Sequence, residues 1–259
     1  MLLPTIASMF LLFQAPAVAP QPTTLPGAKS FVYRTTPQGE LRLHVFTPAS
    51  GDGPFPAAVF FFGGGWTNGK ITQFAPHSEY LAKRGMIGIV ADYRVRNRHQ
   101  TKPADAVDDA NAAIAWVHAH AAELKIDPAR IAAGGGSAGG HLAAAALLLP
   151  APKSQPRPSA LLLFNPAVDL SRRAEMAAIS PAAHVRSKVG PTIIFHGDAD
   201  TTVPWQTVVD FCGKMREAGN RCELETAPGQ KHGFFNTEPW LGKTMGQMDA
   251  FLVSIGYLK

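Results

Sequence analysis

From residue 31 onward, short apolar runs alternate with helix-patterned stretches. Residues 31–36 (FVYRTT) and 40–48 (ELRLHVFTP) alternate apolar and polar positions with period two, as strands with one wet face do, and Pro37-Gln38-Gly39 between them reads as a turn. Residues 57–62 (AAVFFF) and 85–94 (GMIGIVADYR) are continuous apolar runs, the pattern of strands covered on both faces. Residues 105–126 are Ala-rich and predict a helix, with Ala106, Ala110, Ala113, Ile114 and Val117 on one stripe. A short strand at 130–133 (RIAA) leads into Gly134-Gly135-Gly136-Ser137, followed by a helix over 141–149 that Pro150 ends. Past a Pro/Lys/Ser-rich connection at 150–158, residues 160–164 and 191–197 read as buried strands. A helix over 203–219 stopped by Gly219, a strand over 222–227 and a helix over 238–257 complete the chain. Strands alternating with helices predict an α/β fold with a mostly parallel sheet, whose chemistry collects at the carboxyl ends of the strands.

Residues 1–19 break this pattern. They carry no charge, run apolar from Leu2 to Phe13 and end in small residues with an A-x-A spacing, which reads as a secretory signal peptide. Cleavage is expected after Ala17, since Pro20 obstructs the site after Ala19. The protein is therefore expected to be secreted or periplasmic, without stable membrane insertion once the leader is removed. The alternative is a buried N-terminal helix or an uncleaved anchor, against which Pro4, Pro16 and Pro20 argue.

Composition narrows the function classes. Of 259 residues, 46% are hydrophobic and 17% charged, which excludes a disordered chain. The 24 basic and 19 acidic residues give a net charge of +5, yet no Lys/Arg block is longer than two residues and no nucleic-acid motif appears. Cys212 and Cys222 stand ten residues apart, either paired in an exported protein or buried as free thiols. Neither lies near a histidine cluster, so no metal site is expected, and no cofactor motif is present.

The candidate chemistry lies in three segments after strands. Gly135-Gly136-Ser137-Ala138-Gly139 matches G-x-S-x-G between a strand and a helix, the setting in which a sharp turn lifts a serine hydroxyl above the sheet. Phe62-Gly63-Gly64-Gly65-Trp66 follows the 57–62 run, and consecutive glycines can leave N–H groups free to face a developing oxyanion. Asp200 and His232 follow the last two strands. A serine needs a base to take its proton, and the base needs a carboxylate to orient it. Asp198 is the rival acid. His141 is expected to point into packing, His196 to line the core, and His77 and His99 to lie in loops without a role.

These residues resemble the α/β-hydrolase fold serine esterases, in particular the small acetyl-esterase/lipase group related to the hormone-sensitive-lipase type. The resemblance runs from about residue 40 to the C-terminus through FFGGGW (61–66), ADYR (91–94), IDPARIAAGGGSAGGH (126–141), HGDADTTVP (196–204) and GQKHGFF (229–235). It implies a single domain over residues 20–259 with a mostly parallel eight-stranded sheet flanked by helices. It further implies Ser137 as nucleophile, His232 as general base, Asp200 as its partner, and an oxyanion hole from the N–H groups of Ala138, Gly64 and Gly65. Asp92 and Arg94 look like the family's structural pair beside the oxyanion loop. The family's loop usually opens with histidine, and Phe62 stands there instead, without the hydrogen bonds that would steady the loop.

About a dozen residues lie between the leader and Phe31, and segment 165–190 is short, so little or no cap and an open, shallow site are expected. Such a site suits short acyl groups, acetyl or feruloyl, on small or polysaccharide-linked alcohols. The expected activity is serine carboxylester hydrolysis through an acyl-enzyme. Two alternatives are a serine peptidase of the oligopeptidase type and a non-catalytic carbohydrate-binding homologue.

Overall fold

The computed structural model describes residues 20–259, and the leader read in residues 1–19 lies outside the described residues. A hairpin opens the fold. β1 (Lys29–Thr36) pairs antiparallel with β2 (Gly39–Phe46), whose Leu41, Leu43 and Val45 enter the core. Then follow β3 (Phe55–Phe61), α1 (Ala75–Lys83), β4 (Ile87–Ala91), the single-turn α2 (Arg96–His99), α3 (Pro103–Ala119), β5 (Ile126–Gly136), α4 (Ala138–Leu148), β6 (Ala160–Phe164), β7 (Thr192–Gly197), α5 (Trp205–Glu217), β8 (Cys222–Ala227) and α6 (Trp240–Ser254).

The eight strands form one sheet in the order β1-β2-β4-β3-β5-β6-β7-β8. β2 runs antiparallel to both neighbours, and every pair from β4 to β8 is parallel. Burial follows the hydrophobic pattern. β4, β6 and β7 are buried at every residue, as apolar runs covered on both faces must be, whereas the edge strand β8 is buried only at its ends, Cys222 and Ala227, and is partly or fully exposed between them. α4 lies against β3, β5 and β6 and is buried along its whole length. Its run of small residues lets the helix sit close to the sheet, which matters because the candidate nucleophile is its N-cap residue.

Two elements depart from the sequence reading. β5 extends from Ile126 to Gly136 rather than 130–133, because Phe55 pairs with Ile126 before a register shift at Phe55/Ala57. α1 occupies a stretch with no clear apolar stripe. It buries only His77, Ser78 and Leu81, and it packs so closely on β4 that a Cβ on Gly88 would collide with the Ser78 backbone. His77 therefore sits in a helix and in the core, not in a loop. His99 likewise ends the short α2.

Between β6 and β7 the chain forms only two short 3₁₀ helices, Ala174–Ile179 and Pro181–Ala183, so no cap domain rises over the sheet among the described residues. Cys212 on α5 and Cys222 on β8 are joined by a disulfide around the turn at Gly219. Closing so short a loop contributes about 3 kcal/mol by the chain-entropy relation. The carboxyl ends of β3, β5, β7 and β8 point their following loops to one edge of the sheet, which brings residues 62–69, 137, 200 and 232 together.

Candidate active site

Ser137 follows the last residue of β5 with φ 52° and ψ −115°, a conformation that costs a non-glycine residue on the order of 1–3 kcal/mol. Its surroundings enforce it. The Ser137 N–H donates to the Phe164 carbonyl of β6 at 2.9 Å, and its own carbonyl accepts from His141 N–H at 3.0 Å and Ala167 N–H at 3.2 Å. The spacing of the motif has a steric cause: a Cβ on either Gly135 or Gly139 would run into the Phe61 carbonyl oxygen at the end of β3. The turn is thus pressed between β3 and α4, and Ser137 Oγ stands above the positive end of the α4 dipole.

The loop after β8 brings His232 to this hydroxyl. His232 Nε2 lies 3.0 Å from Ser137 Oγ, and Nδ1 lies 2.6 Å from Asp200 Oδ2. With the proton on Nδ1, the imidazole donates to Asp200 and accepts from the serine. Asp200 is fixed by two further bonds, its Oδ1 accepting from Thr202 N–H at 2.8 Å and Val203 N–H at 2.9 Å. Burial pushes the Asp200 carboxyl up, but the bonds from His232 and the two backbone N–H groups outweigh it and hold the acid below its ordinary range. The rival Asp198 is occupied elsewhere, accepting from Gly229 N–H at 2.6 Å, where it shapes the turn that leads to His232. His196, buried at the end of β7, donates from Nε2 to the Val203 carbonyl at 2.9 Å and stands 3.4 Å from Asp200 Oδ2. Burial pushes its imidazole down, so it faces the carboxylate as a neutral ring.

The glycine loop after β3 lies against the same turn, where a Cβ on Gly63 would stand 3.4 Å from Ser137 Cβ. Gly64 and Gly65 take φ values of 127° and 61°, and a Cβ on Gly64 would collide with the Asn68 backbone. The N–H groups of Gly64, Gly65 and Ala138 donate to no acceptor among the described residues, as free oxyanion donors should. The position that usually holds histidine is anchored by different means. The Phe62 ring stacks on Tyr93 with centroids 4.2 Å apart and lies under the Arg98 guanidinium, while Tyr93 Oη donates to the Phe62 carbonyl at 2.7 Å. Gly63 N–H donates to Gln73 Oε1 at 2.7 Å. Trp66 Nε1 donates to His141 Nδ1 at 3.3 Å, and His141 Nε2 donates in turn to the Ile179 carbonyl at 2.8 Å, so the packed histidine joins the loop to the segment after β6.

The structure thus brings together Ser137, Asp200, His232, Gly64, Gly65 and Ala138. It does not pair Asp92 with Arg94. Arg94 makes a two-pronged ion pair with Asp109, a fully buried residue of α3 that also binds Arg34, whereas Asp92 pairs with Arg98 at 3.2 Å. Asp92 and Arg94 follow β4, whose regular geometry ends at Ala91, so strand periodicity does not place their side chains together. Two positioning residues escaped the sequence reading. Asn165, at the end of β6 with φ 35°, accepts through Oδ1 from Gly233 N–H at 2.9 Å and so fixes the residue after His232. Gln73 donates to Asn236 Oδ1 at 3.0 Å while holding Gly63, and Asn236 donates to the Gly233 carbonyl at 2.8 Å. Gln73 belongs to no glycine-rich or strand-end motif; Asn165 does follow a strand end, but its partner Gly233 lies 68 residues further on, so its position alone does not give its role. No group of three or more His, Cys, Asp or Glu side chains is arranged to hold a metal among the described residues.

Comparison with known proteins agrees with this geometry. Residues 43–155 match the BD-FAE family and residues 163–255 the prolyl oligopeptidase family. The chain is 32% identical over 203 residues to the probable carboxylic ester hydrolase LipM of Mycobacterium tuberculosis, covering 65% of this chain and 47% of that protein. It is 39% identical over 101 residues to the carboxylic ester hydrolase LipN of the same organism, covering 38% of this chain and 26% of that one. It thus spans between about a quarter and a half of the length of these curated relatives. Among solved structures, the thermophilic esterase Est2 of Thermogutta terrifontis superposes with a TM-score of 0.86 at 44% identity, covering 90% of this chain and 94% of that one. With that identity carried over nearly the whole of a solved esterase, the chain belongs to the α/β-hydrolase serine esterases of the hormone-sensitive-lipase-like group.

Proposed function

We propose that the protein hydrolyses carboxylic esters by acyl-enzyme chemistry at Ser137. The observation that carries this reading is the continuous relay Ser137–His232–Asp200 beside three unengaged N–H groups. His232 takes the Ser137 proton as Oγ attacks the ester carbonyl, and the oxyanion that forms is held by Gly64, Gly65 and Ala138 N–H. The same imidazole, now protonated and steadied by Asp200, delivers the proton to the leaving alcohol. Water then enters by the reverse sequence and releases the acid. Preorganised donors of this kind are worth about 10²–10³ in rate each.

The preferred acyl group is short. Among the described residues no cap encloses a tunnel for a long chain, and Thermogutta esterase 2 has been solved with propionate and with butyrate bound. Acetyl and feruloyl groups on carbohydrate alcohols fit an open site of this kind. Secretion or periplasmic location follows from the leader read in residues 1–19 and accords with the disulfide.

A Ser137→Ala protein is expected to lose p-nitrophenyl acetate hydrolysis by on the order of 10⁴-fold or more, with the fold intact by circular dichroism. Wild-type rates in that variant would overturn the reading. The match of residues 163–255 to the prolyl oligopeptidase family favours a second reading, amide cleavage by the same relay. Turnover of aminoacyl naphthylamides without turnover of esters would put it first. A fluorophosphonate is expected to label Ser137, since Thermogutta esterase 2 is phosphorylated by paraoxon, and a folded protein that is not labelled would instead be a binder.

A further inference from the structure

Beside the oxyanion loop lies a cavity of about 570 Å³ whose wall begins at Gly65 and Trp66. Gly65 lines this cavity and is also one of the oxyanion donors, so the cavity and the oxyanion hole share a wall. The floor is apolar, formed by Trp66, Met176 and Ile179, and it is stiff, since His141 holds both the Trp66 indole and the Ile179 carbonyl. The rim is charged in one sense. Arg96 of α2, Lys102 at the start of α3 and Arg173 before the first 3₁₀ helix line it, against the single acid Glu175. None of these four side chains forms a salt bridge among the described residues, in contrast to the paired arginines 34, 42, 84, 94, 98, 130 and 221. Asp105, the acid in the first turn of α3, is turned to the Lys102 backbone N–H at 2.8 Å and does not line the cavity.

Three cations drawn from three separate segments and left without partners around one apolar-floored cavity make a field that attracts anions and discriminates little among neutral groups. We propose that the preferred substrate is an anionic ester, one whose acyl or alcohol part carries a carboxylate that is received by Arg96, Lys102 and Arg173 while its carbonyl lies in the oxyanion loop. This rests on the esterase reading of Ser137. The carboxylate is a spectator: it is bound, not transformed. A net charge of two on the rim, three cations less one acid, is screened by salt over about 8–10 Å, so the preference belongs to low ionic strength.

The test compares matched pairs on the wild-type protein: 4-acetoxybenzoate against its methyl ester for a carboxylate on the alcohol side, and phenyl hydrogen succinate against phenyl pentanoate for one on the acyl side. A kcat/KM ratio of about tenfold or more in favour of the anion is expected in one pair, expressed mainly in KM, and shrinking several-fold between 20 mM and 500 mM NaCl. The arm that shows it identifies the side. In the R96Q/K102Q/R173Q protein the ratio is expected to fall to about one. Ratios near or below one in both wild-type pairs, or an anion preference that survives the triple substitution, would overturn the proposal. Failure of the wild type to hydrolyse p-nitrophenyl acetate would overturn the esterase reading first, and this proposal with it.

Discussion

Two histidines, one in the loop after β8 and one in α1, show how differently the molecule treats one kind of side chain. His232 stands at the surface of the cleft with both ring nitrogens engaged, one by Asp200 and the other by Ser137. His77 lies beneath the site in a box of Phe60, Phe74, Phe164 and Phe235, and neither of its nitrogens has a hydrogen-bond partner. The first is held by polar groups that orient it for proton transfer. The second is held by packing alone, and burial pushes its imidazole down to about 3. Yet the two regions are in contact: Phe235, three residues after His232, lies against Gly136, where a Cβ would collide with its ring. The lesson is that the polar site is built on an apolar floor, and that a histidine's chemistry comes from its neighbours, not from its type. Each part of that contrast can be broken separately.

The largest effect is expected in the carboxylate behind His232. Asp200→Asn keeps the shape but can no longer act as a pure acceptor for Nδ1–H, and a loss of about 10⁴ in kcat is expected on an ester substrate. Asp198→Asn should cost at most about tenfold, because its bond to Gly229 N–H is to backbone and is retained by the amide oxygen. Equal losses in the two variants would mean that the relay has been assigned to the wrong acid.

An intermediate effect is expected from the bridge that joins the two catalytic loops. Gln73 holds Gly63 N–H on one side and Asn236 on the other, and Asn236 reaches the carbonyl of Gly233. Gln73→Ala frees both loops and is expected to lower kcat by about 10- to 100-fold, as a misplacement of the order of 1 Å does. Gln73→Glu keeps the acceptor for Gly63 but cannot donate to Asn236, so rescue by Glu would locate the effect in the oxyanion loop and its absence would locate it in the histidine loop. A change in KM alone would show that Gln73 touches substrate instead of positioning the loops.

What sequence could show, and what it could not, follows the same division. The glycine loops, the strand ends and Ser137, Asp200 and His232 are legible because each obeys a local rule: an apolar run, a turn that only small residues permit, a reactive side chain just beyond. Gln73, Asn165 and the aromatic box are not, because their partners lie far along the chain. Gln73 meets Asn236 across 163 residues and Asn165 meets Gly233 across 68, and no local pattern marks either pair. The Asp92–Arg94 pairing fails for the same reason: Asp109, on a helix whose stripe reads only as apolar, is the stronger partner for Arg94. α1 is missed because two of its three buried residues are His77 and Ser78, whose burial depends on β4 and the phenylalanines around them.

The smallest effect on activity is expected at His77, where the change is read in stability and its pH dependence distinguishes the two regions. The unfolded chain takes up a proton at His77 near its ordinary value of 6.5, whereas the folded chain does so only near 3. Stability contributed by this residue is therefore present above about pH 6.5 and is lost progressively as pH falls toward 3. His44 and His141, both lowered to about 4 with burial as the largest cause, act in the same direction. His77→Phe fits an aromatic surrounding and removes one of these titrations along with two unpaired nitrogens. At pH 7.5 the variant is expected to be more stable by about 1 kcal/mol, the low end of what an unsatisfied buried polar group costs. At pH 5 the gain should widen by a further ~2 kcal/mol, from one and a half pH units of proton uptake denied to the folded parent. Urea unfolding at the two pH values reads both quantities. A gain that is the same at pH 7.5 and pH 5 would mean that His77 is not held neutral by the phenylalanine box, and a widening gain with unchanged kcat at pH 7.5 would show that the floor can be made wholly apolar without disturbing the polar site it supports.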